Sequence, residues 1–118
     1  REARLILVAD DDPGVCSYLL QLLASQGFRA AAAHDGASAI QAASRLEPDL
    51  IVMDLAMPGM TGQSAIDRMR KDPRLANIPV LVVTGLLKNG AAVGDACLHK
   101  PVDEAEFLAA VDRLLQKK

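Results

Sequence analysis

The sequence predicts an α/β protein, a parallel sheet with helices packed on both faces. Three observations carry that prediction. Short apolar runs alternate along the chain with segments of helical period, the signature of successive βαβ units. Leu50-Ile51-Val52-Met53 and Val80-Leu81-Val82-Val83 are apolar without interruption, as strands buried on both faces are. Polar residues stand just where the runs stop, at Asp10, Asp54, Thr84 and Lys100.

The elements follow in order. Leu5 to Ala9 reads as a strand ending in Asp10-Asp11-Asp12. Asp12 suits an N-cap and Pro13 the first turn of a helix. Val15, Leu19, Leu22 and Gln26 fall at helical spacing, and Gly27 supplies the stop. Phe28 to Ala33 is alanine-rich, and its place between two helices marks it as a strand. Asp35-Gly36 is a turn signal. Ala37, Ile40 and Ala43 mark a helix to about Leu46, closed by Glu47-Pro48.

Asp49 leads into the central strand and its acid, Asp54. Pro58, Gly59 and Gly62 then break regular structure. Ala65, Ile66 and Met69 give an amphipathic helix with a basic end, which agrees with the helix dipole. Ile78-Pro79 introduces the strand to Thr84. Gly85 to Asp95 has three glycines and no clear period. Ala96-Cys97-Leu98 is a short strand, and Asp103 caps a final helix with Phe107, Val111 and Leu114 on one face.

Composition bounds the function. A chain of 118 residues, 51% hydrophobic, suits one globular domain over 1–118. A formal charge of −2 argues against direct nucleic-acid binding. No apolar run approaches the ~20 residues of a membrane span, and no signal-peptide pattern occurs, so the expected location is the cytoplasm. Cys16 and Cys97, with no CxxC, read as reduced cysteines. Arg1 in place of an initiator Met points to processing or excision from something longer.

The strand-end residues would share the carboxyl edge of one sheet, where ligands bind in open α/β folds. Carboxylates a few ångström apart repel by roughly 4 kcal/mol per close pair at an effective dielectric of 20. Such a cluster takes up protons or binds a cation. Oxygen donors alone favour a hard ion such as Mg²⁺. With Lys100 as a point charge and Thr84 as a hydroxyl donor, the set suits stabilisation of a transferring phosphoryl group. Asp54 would be the nucleophile, forming an acyl phosphate.

Four motifs in this order, Ile6-Leu7-Val8-Ala9-Asp10-Asp11-Asp12-Pro13, Asp54-Leu55-Ala56-Met57-Pro58-Gly59-Met60-Thr61-Gly62, Val83-Thr84-Gly85 and Lys100-Pro101, resemble the receiver domain of bacterial two-component response regulators. The resemblance covers about Leu5 to Leu115. It implies a flavodoxin-like three-layer sandwich with strand order 2-1-3-4-5. It implies that Asp54 accepts a phosphoryl group from a phosphohistidine of a sensor kinase or phosphotransfer protein. Asp11, Asp54 and the backbone carbonyl of Ala56 would hold Mg²⁺, with Asp10 acting through water. Thr84 and Lys100 would bind phosphoryl oxygens, and the Lys100–Pro101 bond would be cis. Such a domain assists its own phosphorylation and hydrolysis, and passes the signal to a downstream protein or effector domain that these residues do not identify. The alternative is a receiver fold that docks without being phosphorylated.

Two departures from the family pattern stand out. The aromatic residue usual three positions before the lysine is Cys97, too small for that ring's volume and expected simply to pack on its strand. The distance from Thr84 to Lys100 is short, so the family's fourth helix is expected to be shortened or missing, with Leu86 and Leu87 left in an apolar patch. Ala56 and Leu86, both apolar, cannot orient a hydrolytic water, which implies slow self-dephosphorylation. His34 reads as a loop residue and His99 as pointing away from the pocket. Neither is assigned phosphotransfer.

Overall fold

A computed structural model describes residues 3–85 and 94–116. The elements run β1 (Leu5–Ala9), α1 (Pro13–Ser25), β2 (Arg29–Ala33), α2 (Gly36–Leu46), β3 (Leu50–Met53), α3 (Gly62–Arg70), β4 (Val80–Thr84), β5 (Ala96–His99) and α4 (Glu104–Gln116). The strands form one parallel sheet in the order β2-β1-β3-β4-β5. The expected shortening of the family's fourth helix, and the patch at Leu86 and Leu87, fall in 86–93, outside the described residues.

Local chemistry sets the helix ends. Asp12 caps α1, its Oδ1 accepting the Gly14 N–H at 2.8 Å, and Gly27 ends that segment at a φ of 87°. Asp35 caps α2 through the Ser38 N–H at 2.7 Å. Thr61 caps α3 through the Ser64 N–H at 3.1 Å. Asp103 caps α4 through the Glu106 N–H at 2.9 Å. Each satisfies a first-turn N–H that has no partner inside its helix. Arg68 and Arg70 close α3 and Arg113 closes α4, opposite the negative end of each helix dipole.

Alternation along the strands divides the core in two. Leu7, Ile51, Met53, Val80 and Val82 face α2 and α3, against Ala39, Ala43, Ala65 and Met69. Ile6, Val8, Leu50, Val52, Leu81 and Val83 face α1 and α4, against Leu19, Leu23, Phe107, Val111 and Leu114. β3 and β4 are buried along their whole length, whereas β5 alternates between half-buried and exposed. In α2 the buried stripe runs through Ala39, Ala42 and Ala43, and Ala37, expected on that stripe, is exposed. Asp35, as N-cap, starts the helix at Gly36, and it is Gly36 that is buried in the first turn, close against Met60.

The amino edge of the sheet carries acids of its own. Asp49 Oδ2 accepts the Leu5 N–H at 2.8 Å. Asp95 Oδ2 accepts the Val80 N–H at 2.7 Å and pairs with Arg70 at 2.8 Å. Arg70 also donates to the carbonyls of Ala76 and Ile78, at 3.0 and 2.8 Å. Among the described residues, no helix is long and apolar enough to cross a membrane.

Candidate functional site

The ladders between neighbouring strands continue one step past the strand ends and there position the acids. Asp10 N–H donates to the Ala33 carbonyl at 3.0 Å, and Asp54 N–H to the Ala9 carbonyl at 2.9 Å. Asp10 and Asp54 thus stand side by side at the carboxyl ends of β1 and β3, both buried, at 2% and 4% exposure. Asp11 is exposed beside them. Each of the three offers a carboxylate oxygen, all within 4.8 Å of one another.

Lys100 is the counter-charge. Its Nζ lies 2.7 Å from Asp10 Oδ2 and 3.3 Å from Asp54 Oδ2. Burial acts to lower its pKa, but the hydrogen bond to Asp10 and the charges of Asp10 and Asp54 together outweigh it and hold the ammonium above its ordinary value. The Lys100–Pro101 bond is cis. Lys100 N–H donates to the Thr84 carbonyl at 2.9 Å, tying the ends of β4 and β5. Thr84 itself is fully buried, two residues past the Val82 that pairs with Met53.

Two further contacts shape the loop after β3. Ala56 is exposed, and its N–H donates to Asp54 Oδ1 at 3.3 Å. Gly62 N–H donates to the Leu55 carbonyl at 2.9 Å. A side-chain carbon at Gly62 would run into the Asp54 carbonyl oxygen and come within 2.8 Å of Leu55 Cα. Only glycine lets α3 begin this close to the backbone of Asp54.

All the donors gathered at this edge are oxygens of acidic side chains. Three hard donors within 4.8 Å of one another, one of them on the exposed Asp11, fit an Mg²⁺ ion that keeps part of its water shell. A softer ion that needs thiolate or imidazole ligands would find neither in this set.

The comparisons with known proteins agree with this geometry. The response regulator receiver domain family matches residues 6–112. The chain belongs to that family. RpaA of Synechocystis sp., a DNA-binding dual master transcriptional regulator, is 36% identical over 118 residues, covering 95% of this receiver and 49% of RpaA. Protein Rrf1 of Nitratidesulfovibrio vulgaris is 35% identical over 112 residues, covering 93% of this receiver and 81% of Rrf1. The solved receiver domain of sensor histidine kinase PA1611 from Pseudomonas aeruginosa has a magnesium ion coordinated in its active-site cleft. It is 26% identical, with a TM-score of 0.89 over 98% of this chain and 99% of that one. This receiver therefore spans about half of one curated relative and four fifths of another.

The structure gathers Asp10, Asp11, Asp54 and Lys100 at one edge and places Thr84 at the end of the adjoining strand. Cys97 differs from expectation. It is exposed, because β5 turns Ala96 and Leu98 toward α1 and α4 and Cys97 and His99 to the other side. Sequence reasoning missed two residues. His34 Nδ1 and Cys16 Sγ each lie 3.2 Å from the Asp10 carbonyl oxygen. The available signal was positional: His34 follows β2, the strand paired with β1, and Cys16 sits in the first turns of α1. Burial, and then the charge of Asp10, push the Cys16 thiol up from its ordinary value, so it stays a protonated donor.

Proposed function

We propose that this receiver is a Mg²⁺-dependent phosphoryl acceptor and signalling switch, with Asp54 as the acceptor. The observation that carries the reading is the grouping of three carboxylates, with one oxygen of each within 4.8 Å of the others, one of them the buried Asp54 that a lysine also reaches. Asp54 also accepts the Ala56 N–H and pairs with Lys100, and what sets it apart from an ordinary satisfied buried acid is the two further carboxylates beside it.

The roles follow from the chemistry. Asp10, Asp11, Asp54 and the backbone carbonyl of Ala56 would hold the ion. When bound, Mg²⁺ supplies charge neutralisation for the acids and for the phosphoryl oxygens. An oxygen of the Asp54 carboxylate attacks phosphorus of a phosphohistidine on a histidine kinase or phosphotransfer protein. The P–N bond breaks, the imidazole leaves with its electron pair, and an acyl phosphate forms on Asp54. Lys100 stabilises charge on the transferred oxygens, and the Thr84 hydroxyl donates to one of them. Water later hydrolyses the acyl phosphate. Ala56 offers no side-chain group to orient that water, and the switch loses its phosphoryl group slowly. The protein works in the cytoplasm, where its kinase and Mg²⁺ are found.

The test is direct. Wild type and Asp54→Asn are each incubated with Mg²⁺ and a small phosphodonor, and their masses compared. The expected result is the gain of one phosphoryl group by wild type alone. No gain in either protein would sink the reading in favour of a receiver fold that acts by docking only.

A further inference from the structure

Asp10 contributes more than its carboxylate to the acidic edge. Its carbonyl begins the peptide that leads to Asp11, so the plane of that one peptide sets the direction from which both acids enter the pocket. Two side chains grip this carbonyl from different elements. His34 Nδ1 reaches it from the β2–α2 loop and Cys16 Sγ from α1, each at 3.2 Å. A carbonyl only accepts, so Nδ1 carries a proton. The same argument makes the thiol a donor to the carbonyl, and Sγ and Nδ1 also stand within hydrogen-bonding reach of each other, at 3.8 Å. Asp12 N–H holds the other end of the turn by donating to Asp10 Oδ1 at 2.9 Å.

We propose that His34, supported by Cys16, is a positioning residue for the metal-binding acids, fixing the Asp10–Asp11 peptide through the Asp10 carbonyl. The inference rests on the reading of the acidic edge as a Mg²⁺ site. Partners behind a metal's ligands orient them, and losing one typically weakens metal binding by about 10- to 100-fold. His34 is exposed and Cys16 buried. Removing the imidazole therefore leaves no cavity, and water replaces part of what it does. The expected loss lies at the lower end of that range.

Side-chain geometry supplies the control. The amide nitrogen of asparagine takes nearly the place of Nδ1, whereas that of glutamine takes the place of Nε2. Mg²⁺ is titrated into the unphosphorylated wild type, His34→Ala, His34→Asn and His34→Gln, followed calorimetrically. Thermal unfolding of each variant and the backbone amide shift of Asp11, the N–H of the gripped peptide, are recorded without metal. His34→Ala is expected to weaken Mg²⁺ binding roughly tenfold with its unfolding temperature unchanged, and to move the Asp11 amide before any metal is added. His34→Asn restores both; His34→Gln restores neither. Equal Mg²⁺ affinity in wild type and His34→Ala, or equal rescue by Gln and Asn, overturns the positioning role and leaves the metal site standing. A wild type that binds no Mg²⁺ overturns the metal site, and the positioning role with it.

Discussion

The two edges of the sheet use the same residue for opposite ends. At the amino edge, Asp49 and Asp95 each accept the first N–H of a strand, Leu5 and Val80, at 2.8 and 2.7 Å. At the carboxyl edge, Asp10 and Asp54 also accept a backbone N–H each, from Asp12 and Ala56, but with Asp11 they bring carboxylate oxygens within 4.8 Å of one another. An acid turned toward a backbone N–H satisfies a donor that would otherwise lose its partner, and so stabilises the fold. Acids turned toward each other cost about 3 to 4 kcal/mol per close pair at an effective dielectric of 20, less where water reaches them as at Asp11. What distinguishes the two sets of acids is the presence of other carboxylates beside those at the carboxyl edge.

The largest effect expected at the carboxyl edge comes from a glycine. Gly62→Val drives a side chain into the Asp54 carbonyl and is expected to cost roughly 3 kcal/mol, read from urea unfolding. A loss below about 1 kcal/mol would mean that α3 is free to shift away from β3.

Next come substitutions of opposite sign at the two edges. Asp49→Ala strips the Leu5 N–H of its charged partner and is expected to cost about 2 kcal/mol. Asp11→Asn removes a repulsive charge and is expected to leave metal-free stability unchanged or raise it by up to about 0.5 kcal/mol. The same variant should lose most of the rise in unfolding temperature that Mg²⁺ gives wild type. Equal destabilisation by both variants would erase the distinction between the edges.

The smallest effect belongs to Asp35, an exposed cap. The Ser38 N–H holds its carboxyl below the usual value near 3.8. A depressed folded value means stability that is fully present above the unfolded pKa and lost as pH falls through the folded one. Wild type should therefore shed a small increment of stability below about pH 3.8 that Asp35→Asn, which keeps a capping oxygen, does not shed. Parallel stability–pH curves for the two proteins would remove the cap from the account.

Most of the fold was legible because local signals agreed. Apolar runs, helix caps and turn residues each marked the same boundaries, and five strands with four helices followed in the order observed among the described residues. The acids were legible because they stop apolar runs. What escaped depended on contacts across elements. Cys16 and His34 meet only because α1 and the end of β2 flank β1, and neither residue breaks a local pattern. Gly62 read as one more turn residue, and only the approach of α3 to Asp54 shows why a larger residue fails there. Cys97 was expected to pack; its exposure follows from the position of β5 at the end of the sheet, which its apolar neighbours do not reveal.

The contacts of Lys100 have a consequence for how the domain presents itself to other molecules. Three carboxylates and one ammonium leave the edge with two negative charges, which one divalent cation balances. Under the proposed function, phosphorylation replaces the single charge of Asp54 with one approaching −2, and the balance fails by about one unit. The phosphorylated state would then be distinguished at its surface by a local negative field, one that weakens with added salt over a Debye length of about 8 Å at physiological ionic strength.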